Sequence, residues 1–154
     1  MLLALAGCGF ALRPTQEYSF KSVYYAAAPT SLMAAEMRRY LASSQVELIT
    51  EAYDQARAEV FLEMLGEQRV KTVVGYSTSG QARELQLRLV MKCRLRTPQG
   101  KELIPETELA QQRSMSYDET YALAKEAEEA SLYRSMQSDI VQLILRRMAS
   151  VKHL

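Results

Sequence analysis

Glu84-Leu85-Gln86-Leu87-Arg88-Leu89-Val90-Met91-Lys92-Cys93-Arg94-Leu95-Arg96 carries the clearest period-two pattern in this 154-residue chain. Leu85, Leu87, Leu89, Met91, Cys93 and Leu95 fall on one side of an extended backbone. Glu84, Gln86, Arg88, Val90, Lys92, Arg94 and Arg96 fall on the other. Such alternation describes a strand with one face in a core and one face in water. Turns bracket it. Ser77-Thr78-Ser79-Gly80 precedes it, and Thr97-Pro98-Gln99-Gly100 follows as a type I turn, with Pro at the second position and Gly at the fourth.

Working outward, Val60–Leu65 and Val70–Tyr76 read as two further strands, rich in branched and aromatic residues and separated around Gly66. After Gly100 a strand runs through Leu103-Ile104, is interrupted at Pro105 and resumes toward Met115. Upstream, Tyr18–Tyr25 and Val46–Ile49 are short strands. A helix lies between them, opened by Pro29-Thr30-Ser31 with Ser31 or Thr30 as N-cap and closed by Ser43-Ser44. Met33, Met37, Tyr40 and Leu41 share one helical face, opposite Glu36, Arg38 and Arg39. Asp118 caps a last helix, whose stripe is Leu123, Ala130, Tyr133, Ile140, Val141, Ile144 and Met148. At roughly 30 residues that helix is about 45 Å long and must cross a whole sheet. Two helices with one-sided apolar stripes need a common surface, and a mostly antiparallel sheet with one apolar face supplies it. The expected fold is α+β, a two-layer sandwich with two helices on one face of the sheet.

Composition bounds the function. Apolar content of 48% with 24% charge fits one globular domain. A net charge of +1 gives no basic footprint for nucleic acid. The chain opens Met1-Leu2-Leu3-Ala4-Leu5-Ala6-Gly7-Cys8, and Leu5-Ala6-Gly7-Cys8 reads as a bacterial lipobox. Cleavage before Cys8 would leave residues 1–7 as a signal-peptide remnant and 8–154 as a single mature domain, lipidated at Cys8. No Lys or Arg precedes the apolar run, which fits a leader whose true start lies upstream. Attachment would then be by lipid alone. Cys93, the only other cysteine, is expected to be buried and inert, with no histidine near it in sequence.

Catalytic motifs are missing. The one histidine, His153, sits beside the C-terminus, where neither a Ser–His–acid nor a Cys–His arrangement can be built. There is no Cys/His metal spacing, no phosphate loop and no dinucleotide fingerprint, so no enzyme, metal or cofactor is expected. Glu126, Glu128 and Glu129 read as a solvated helix face. Two features remain. Arg88, Lys92, Arg94 and Arg96 would form a positive ridge on an uncovered sheet face, with Arg83 and Lys71 near the adjoining turn. The ridge suits phosphates or carboxylates, and equally suits keeping an exposed sheet soluble. Among nine tyrosines, Tyr40 and Tyr133 fit the core edge, while Tyr24, Tyr25 and Tyr76 are freer to meet a partner.

Cys8-Gly9-Phe10-Ala11-Leu12-Arg13 resembles the first mature residues of the LptE family of lipopolysaccharide-assembly lipoproteins. So do Gly80-Gln81, Gly100, Arg113, Tyr117-Asp118, Ala124-Lys125, Glu128, Leu132-Tyr133, Met136, Asp139 and Arg146-Arg147, in that order. The resemblance implies two helices on a four-stranded sheet, tethered to the inner leaflet of the outer membrane on its periplasmic side. Its partner would be the large β-barrel LptD, which the domain plugs and helps to assemble for lipopolysaccharide delivery to the cell surface. Gly9 after Cys8 fits outer-membrane sorting. The resemblance further implies lipopolysaccharide binding by basic residues near a strand turn and on the long helix, for which Arg83 and Arg134 are the closest candidates; Thr78 stands where relatives can carry a basic residue. With the ridge, the lipopolysaccharide-binding candidates are Arg83, Arg88, Lys92, Arg94 and Arg134. The other readings are an auxiliary lipoprotein of another envelope lipid or solute transporter, and a lipid-anchored periplasmic enzyme. The first would co-purify an inner-membrane complex in place of a barrel, and the second would need an acid/base pair in a cleft.

Overall fold

The computed structural model describes residues 16–26 and 31–154. Cys8, the expected lipobox and the first two residues of the Pro29-Thr30-Ser31 helix start lie outside them. The described chain forms strands β1 (Ser22–Ala26), β2 (Glu47–Ile49), β3 (Val60–Tyr76), β4 (Ala82–Arg96) and β5 (Glu102–Ser116), with helices α1 (Leu32–Ala42) and α2 (Ala122–Ala149). Two 3-10 segments, Ala52–Arg57 and Glu119–Tyr121, join them.

The α+β expectation holds, but the sheet is five-stranded and mixed, in the order β2-β1-β3-β4-β5. β1 runs parallel to both β2 and β3, and the remaining pairs are antiparallel. The physical reason is α1. A strand that leaves through a helix and returns beside itself must come back parallel, which a meander of hairpins does not capture. β1 reaches only from Val60 to Glu63 along β3, so the sheet is five strands wide there and three strands wide beyond.

Three further expectations change. Val60–Leu65 and Val70–Tyr76 are one 17-residue strand, because the register shift between Met64 and Gly66 absorbs the irregularity as a bulge. β5 runs straight through Pro105, since it is an edge strand whose outward N–H needs no partner; the register shifts there too, and the Thr107 hydroxyl donates to the Pro105 carbonyl at 2.7 Å. Asp118 caps the Glu119–Tyr121 segment through the Thr120 N–H, and α2 begins only after it. Both expected turns close, with Gly80 N donating to Ser77 O and Gly100 N to Thr97 O, each 3.0 Å, and φ of 80° and 92° at the two glycines.

The core is the apolar face of β4 against the two helices. Leu87, Leu89 and Leu95 are fully covered, facing Met136, Ile140 and Ile144 of α2 and Met33, Met37 and Leu41 of α1. Ser31 caps α1, its hydroxyl accepting from Ala34 N at 3.2 Å. α2 is buried from Tyr133 onward, whereas Leu123, expected on its stripe, is 83% exposed because the helix overhangs the sheet at that end. Polar ties hold α2 down: Arg113 to Asp139 at 2.7 Å, Lys71 to Glu129 at 2.9 Å and Lys125 to Ser116 Oγ at 2.9 Å. Gly75 sits in a second bulge of β3, where a Cβ would come within 2.9 Å of Glu84 Cβ. Gly75→Ala is expected to destabilise the fold by about 1–3 kcal/mol in chemical denaturation, because one of the two strands must move.

Candidate functional site

The sheet face turned away from the helices is open, and β4 lays its polar residues along it. β4 register places Arg96 beside Phe61 and Arg94 beside Glu63 of β3. Glu63 Oε1 accepts from Arg96 Nε at 2.9 Å, and Oε2 accepts from Arg94 Nε at 2.8 Å. The Arg96 hydrogen bond, with Arg94 behind it, holds the Glu63 carboxyl below its ordinary range against the cost of desolvation. The Arg96 guanidinium lies 4.8 Å over the Phe61 ring, which Tyr24 meets edge-on at 5.3 Å.

The expected positive ridge is therefore largely neutralised. Arg94 and Arg96 share Glu63, Arg94 also approaches Glu102 at 3.6 Å, and Arg88 lies 3.4 Å from Glu108. Lys92 alone on the ridge makes no ion pair among the described residues. Beside it the face dips into a shallow hollow of about 480 Å³, bordered by Val70, Val90, Arg88, Lys92 and Glu108. Val90, expected on the polar face, is 8% exposed at the bottom of this dip.

Arg83 stands apart, at the end where the β3–β4 turn meets the β5–α2 connection. Its carbonyl accepts from Tyr117 N at 2.8 Å, and its guanidinium reaches Gln81 at 3.2 Å and Asp118 at 3.4 Å. Hydrogen bonds from Thr120, then the Arg83 charge, hold the Asp118 carboxyl below its ordinary range. Around them is a polar hollow of about 350 Å³. The same end of the molecule exposes Val74, Tyr76, Tyr121 and Leu123. Arg134 lies on exposed α2, in the helix layer, and so on the other side of the sheet from Arg88, Lys92 and Arg94. The five candidates thus occupy three places: the end of the sheet, its open face and the helix layer.

Lys71, expected near the turn with the ridge, instead faces the helix layer, where the Glu129 carboxylate raises its pKa. Arg69 is two residues away on the same face and covers the Tyr133 ring at 5.1 Å. The spacing of Arg69 and Lys71 signalled a shared face; which face required the register. Tyr25, expected to be free for a partner, is a core residue at 1% exposure, while Tyr76 is open and Tyr40 sits at the core edge. Cys93 is buried, and burial raises its thiol pKa. Among the described residues no helix is long and apolar enough to cross a membrane, and no cluster of three His, Cys, Asp or Glu side chains could hold a metal.

A helix-backed sheet with an open polar face and separated basic residues is the frame of a binding or interaction module. Comparison with protein families matches residues 20–148 to LptE, described as lipopolysaccharide-assembly, and the chain belongs to that family. Among solved structures it is similar to lipoprotein B of Nitrosomonas europaea, 30% identical over 93% of this chain and 92% of that one, with a TM-score of 0.75. A minor lipoprotein of Acinetobacter baumannii, 21% identical over 87% of this chain and 94% of that one, shares the fold with a TM-score of 0.68. The rare lipoprotein B of Shewanella oneidensis, 18% identical over 84% and 94%, does so with a TM-score of 0.71. No curated protein matches the chain.

Proposed function

We propose that residues 8–154 form an outer-membrane lipoprotein, tethered through Cys8, that plugs and helps assemble an LptD-type β-barrel and contacts lipopolysaccharide. The observation that carries the lipopolysaccharide contact is the end of the sheet, where Arg83 stands with the exposed Val74, Tyr76, Tyr121 and Leu123. That end is amphiphilic in the sense that lipid A is, with a cation for phosphate beside apolar surface for acyl chains. Arg88, Lys92 and Arg94 offer secondary charge, weakened by Glu63, Glu102 and Glu108; Arg134 would serve a separate contact on the helix layer. Membership of the LptE family supports the barrel partner. An open sheet face made of paired charges suits a plug, because the interior of such a barrel is polar.

The test is capture of the tagged protein from detergent-solubilised outer membranes, followed by mass spectrometry. A stoichiometric large β-barrel is expected. An inner-membrane transporter in its place would move the protein to the auxiliary lipoproteins. In the same experiment Arg83→Ala is expected to lower retained lipopolysaccharide severalfold while barrel capture is unchanged. Retention at the wild-type level removes the site from Arg83.

A further inference from the structure

Between the start of α1 and the helix-facing side of β3 lies a second pocket, of about 210 Å³. Its walls are Ala34 from α1, Met64 and Leu65 from β3, and Met91 from β4, with Tyr25 of β1 also lining it. An apolar cavity of roughly 150 Å³ accepts benzene, so this one has room for several methylene groups. It opens where the β3 bulge displaces Leu65, which is 43% exposed.

The Tyr25 hydroxyl is buried and has no hydrogen-bond partner. Buried hydroxyls are almost always satisfied, because the lost water contacts are otherwise unreplaced. A second polar group beside it is in the same condition. Arg38, half-buried on α1, makes no ion pair among the described residues, its Nε is buried without an acceptor, and its charge acts on the Tyr25 hydroxyl. Burial raises the Tyr25 pKa far above the physiological range, so the phenol is held as a donor. An unused donor and an uncompensated cation at the inner end of an apolar pocket ask for an anionic acceptor that carries an alkyl tail.

We propose that this pocket binds a medium-chain carboxylate, head inward, with Tyr25 donating to the carboxylate under the Arg38 charge and the alkyl chain running out past Leu65. A bare hydrocarbon would leave the Tyr25 hydroxyl unsatisfied, and a free phosphate would waste the methionine and leucine walls. At the mouth, Glu67 is already engaged, by Arg69 at 3.1 Å and the Ser31 hydroxyl at 3.4 Å, so it does not stand as a free anion against the entering head group. This inference does not rest on the barrel-plug reading, and the site is distinct from Arg83 and from the open face.

The test is calorimetric titration of the full chain, freed of bound lipid, with decanoate, and with decylamine as a cation of the same chain length. Saturable binding of decanoate and none of decylamine is expected. Tyr25→Phe, which keeps the ring, is expected to weaken decanoate at least about tenfold, as is Arg38→Gln. Ala34→Met, which fills the pocket from the helix side, is expected to abolish binding. Absence of saturable binding, equal binding of the amine, or wild-type affinity in Tyr25→Phe would each overturn the proposal. Should Tyr25→Phe fail to fold, Arg38→Gln on its half-exposed side chain decides the matter alone. Decanoate binding without capture of a barrel would sink only the plug reading, and the reverse result only this one.

Discussion

Leu89→Ala is expected to lower the unfolding free energy by about 2–5 kcal/mol, the largest effect of any single substitution considered for this protein. Leu89 is fully buried at the middle of β4, between the two helices and the flanking strands. Truncation removes its transfer free energy and leaves a cavity that a central strand, held on both sides, cannot close. For a domain of this size the midpoint of thermal unfolding should fall by about 5–15 °C. Leu123→Ala provides the contrast. That leucine belongs to the same class of apolar helix positions in the sequence, yet it is exposed, and its removal should stay within about 0.5 kcal/mol. Denaturant titration of both variants measures the difference. Equal losses would mean that the start of α2 is packed, contrary to the overhang described above.

Acidification is expected to remove a specific part of the stability, through Glu63. Its folded carboxyl titrates below the ordinary value of 4.5, chiefly because Arg96 and then Arg94 hydrogen-bond its charged form. A lowered folded pKa means that the folded state favours the carboxylate. The contribution is therefore complete above the unfolded pKa and is lost as pH falls through the lower folded value. Glu63→Gln should cost about 1–3 kcal/mol near neutral pH, since it removes charge-assisted bonds to two arginines that are themselves mostly covered. Wild type and variant should then converge as the pH drops below about 4. Parallel stability curves across that range would show that Glu63 contributes no charge-dependent stability. The same variant bears on function. Releasing Arg94 and Arg96 uncovers positive charge on the open face, so anion binding there should rise in Glu63→Gln even as stability falls.

Much of the fold follows from local pattern. The alternation from Glu84 to Arg96 specifies a half-buried strand, because a period of two admits no other placement of six apolar side chains. Gly80 and Gly100 mark turns because their positive φ suits no other residue so well. Ser31 and Asp118 mark helix entrances because a short side-chain oxygen replaces the missing backbone acceptor. The family, too, was within reach of the sequence, through the order of its polar and aromatic residues from Arg113 to Arg147.

What required the tertiary structure is everything that depends on who sits opposite whom. Glu63 and Arg94 are 31 residues apart, and only the β3–β4 register joins them and cancels the ridge. Parallel pairing of β1 with β3 depends on where α1 packs, not on either strand's composition. Tyr25 looked free because aromatic residues serve cores and interfaces alike, and only the covering helix separates the two roles. Local propensity sets the elements, since each residue carries its own backbone and side-chain preferences. Charge compensation, strand direction and the unsatisfied Tyr25–Arg38 pair arise from contacts between distant segments, which no window along the chain contains.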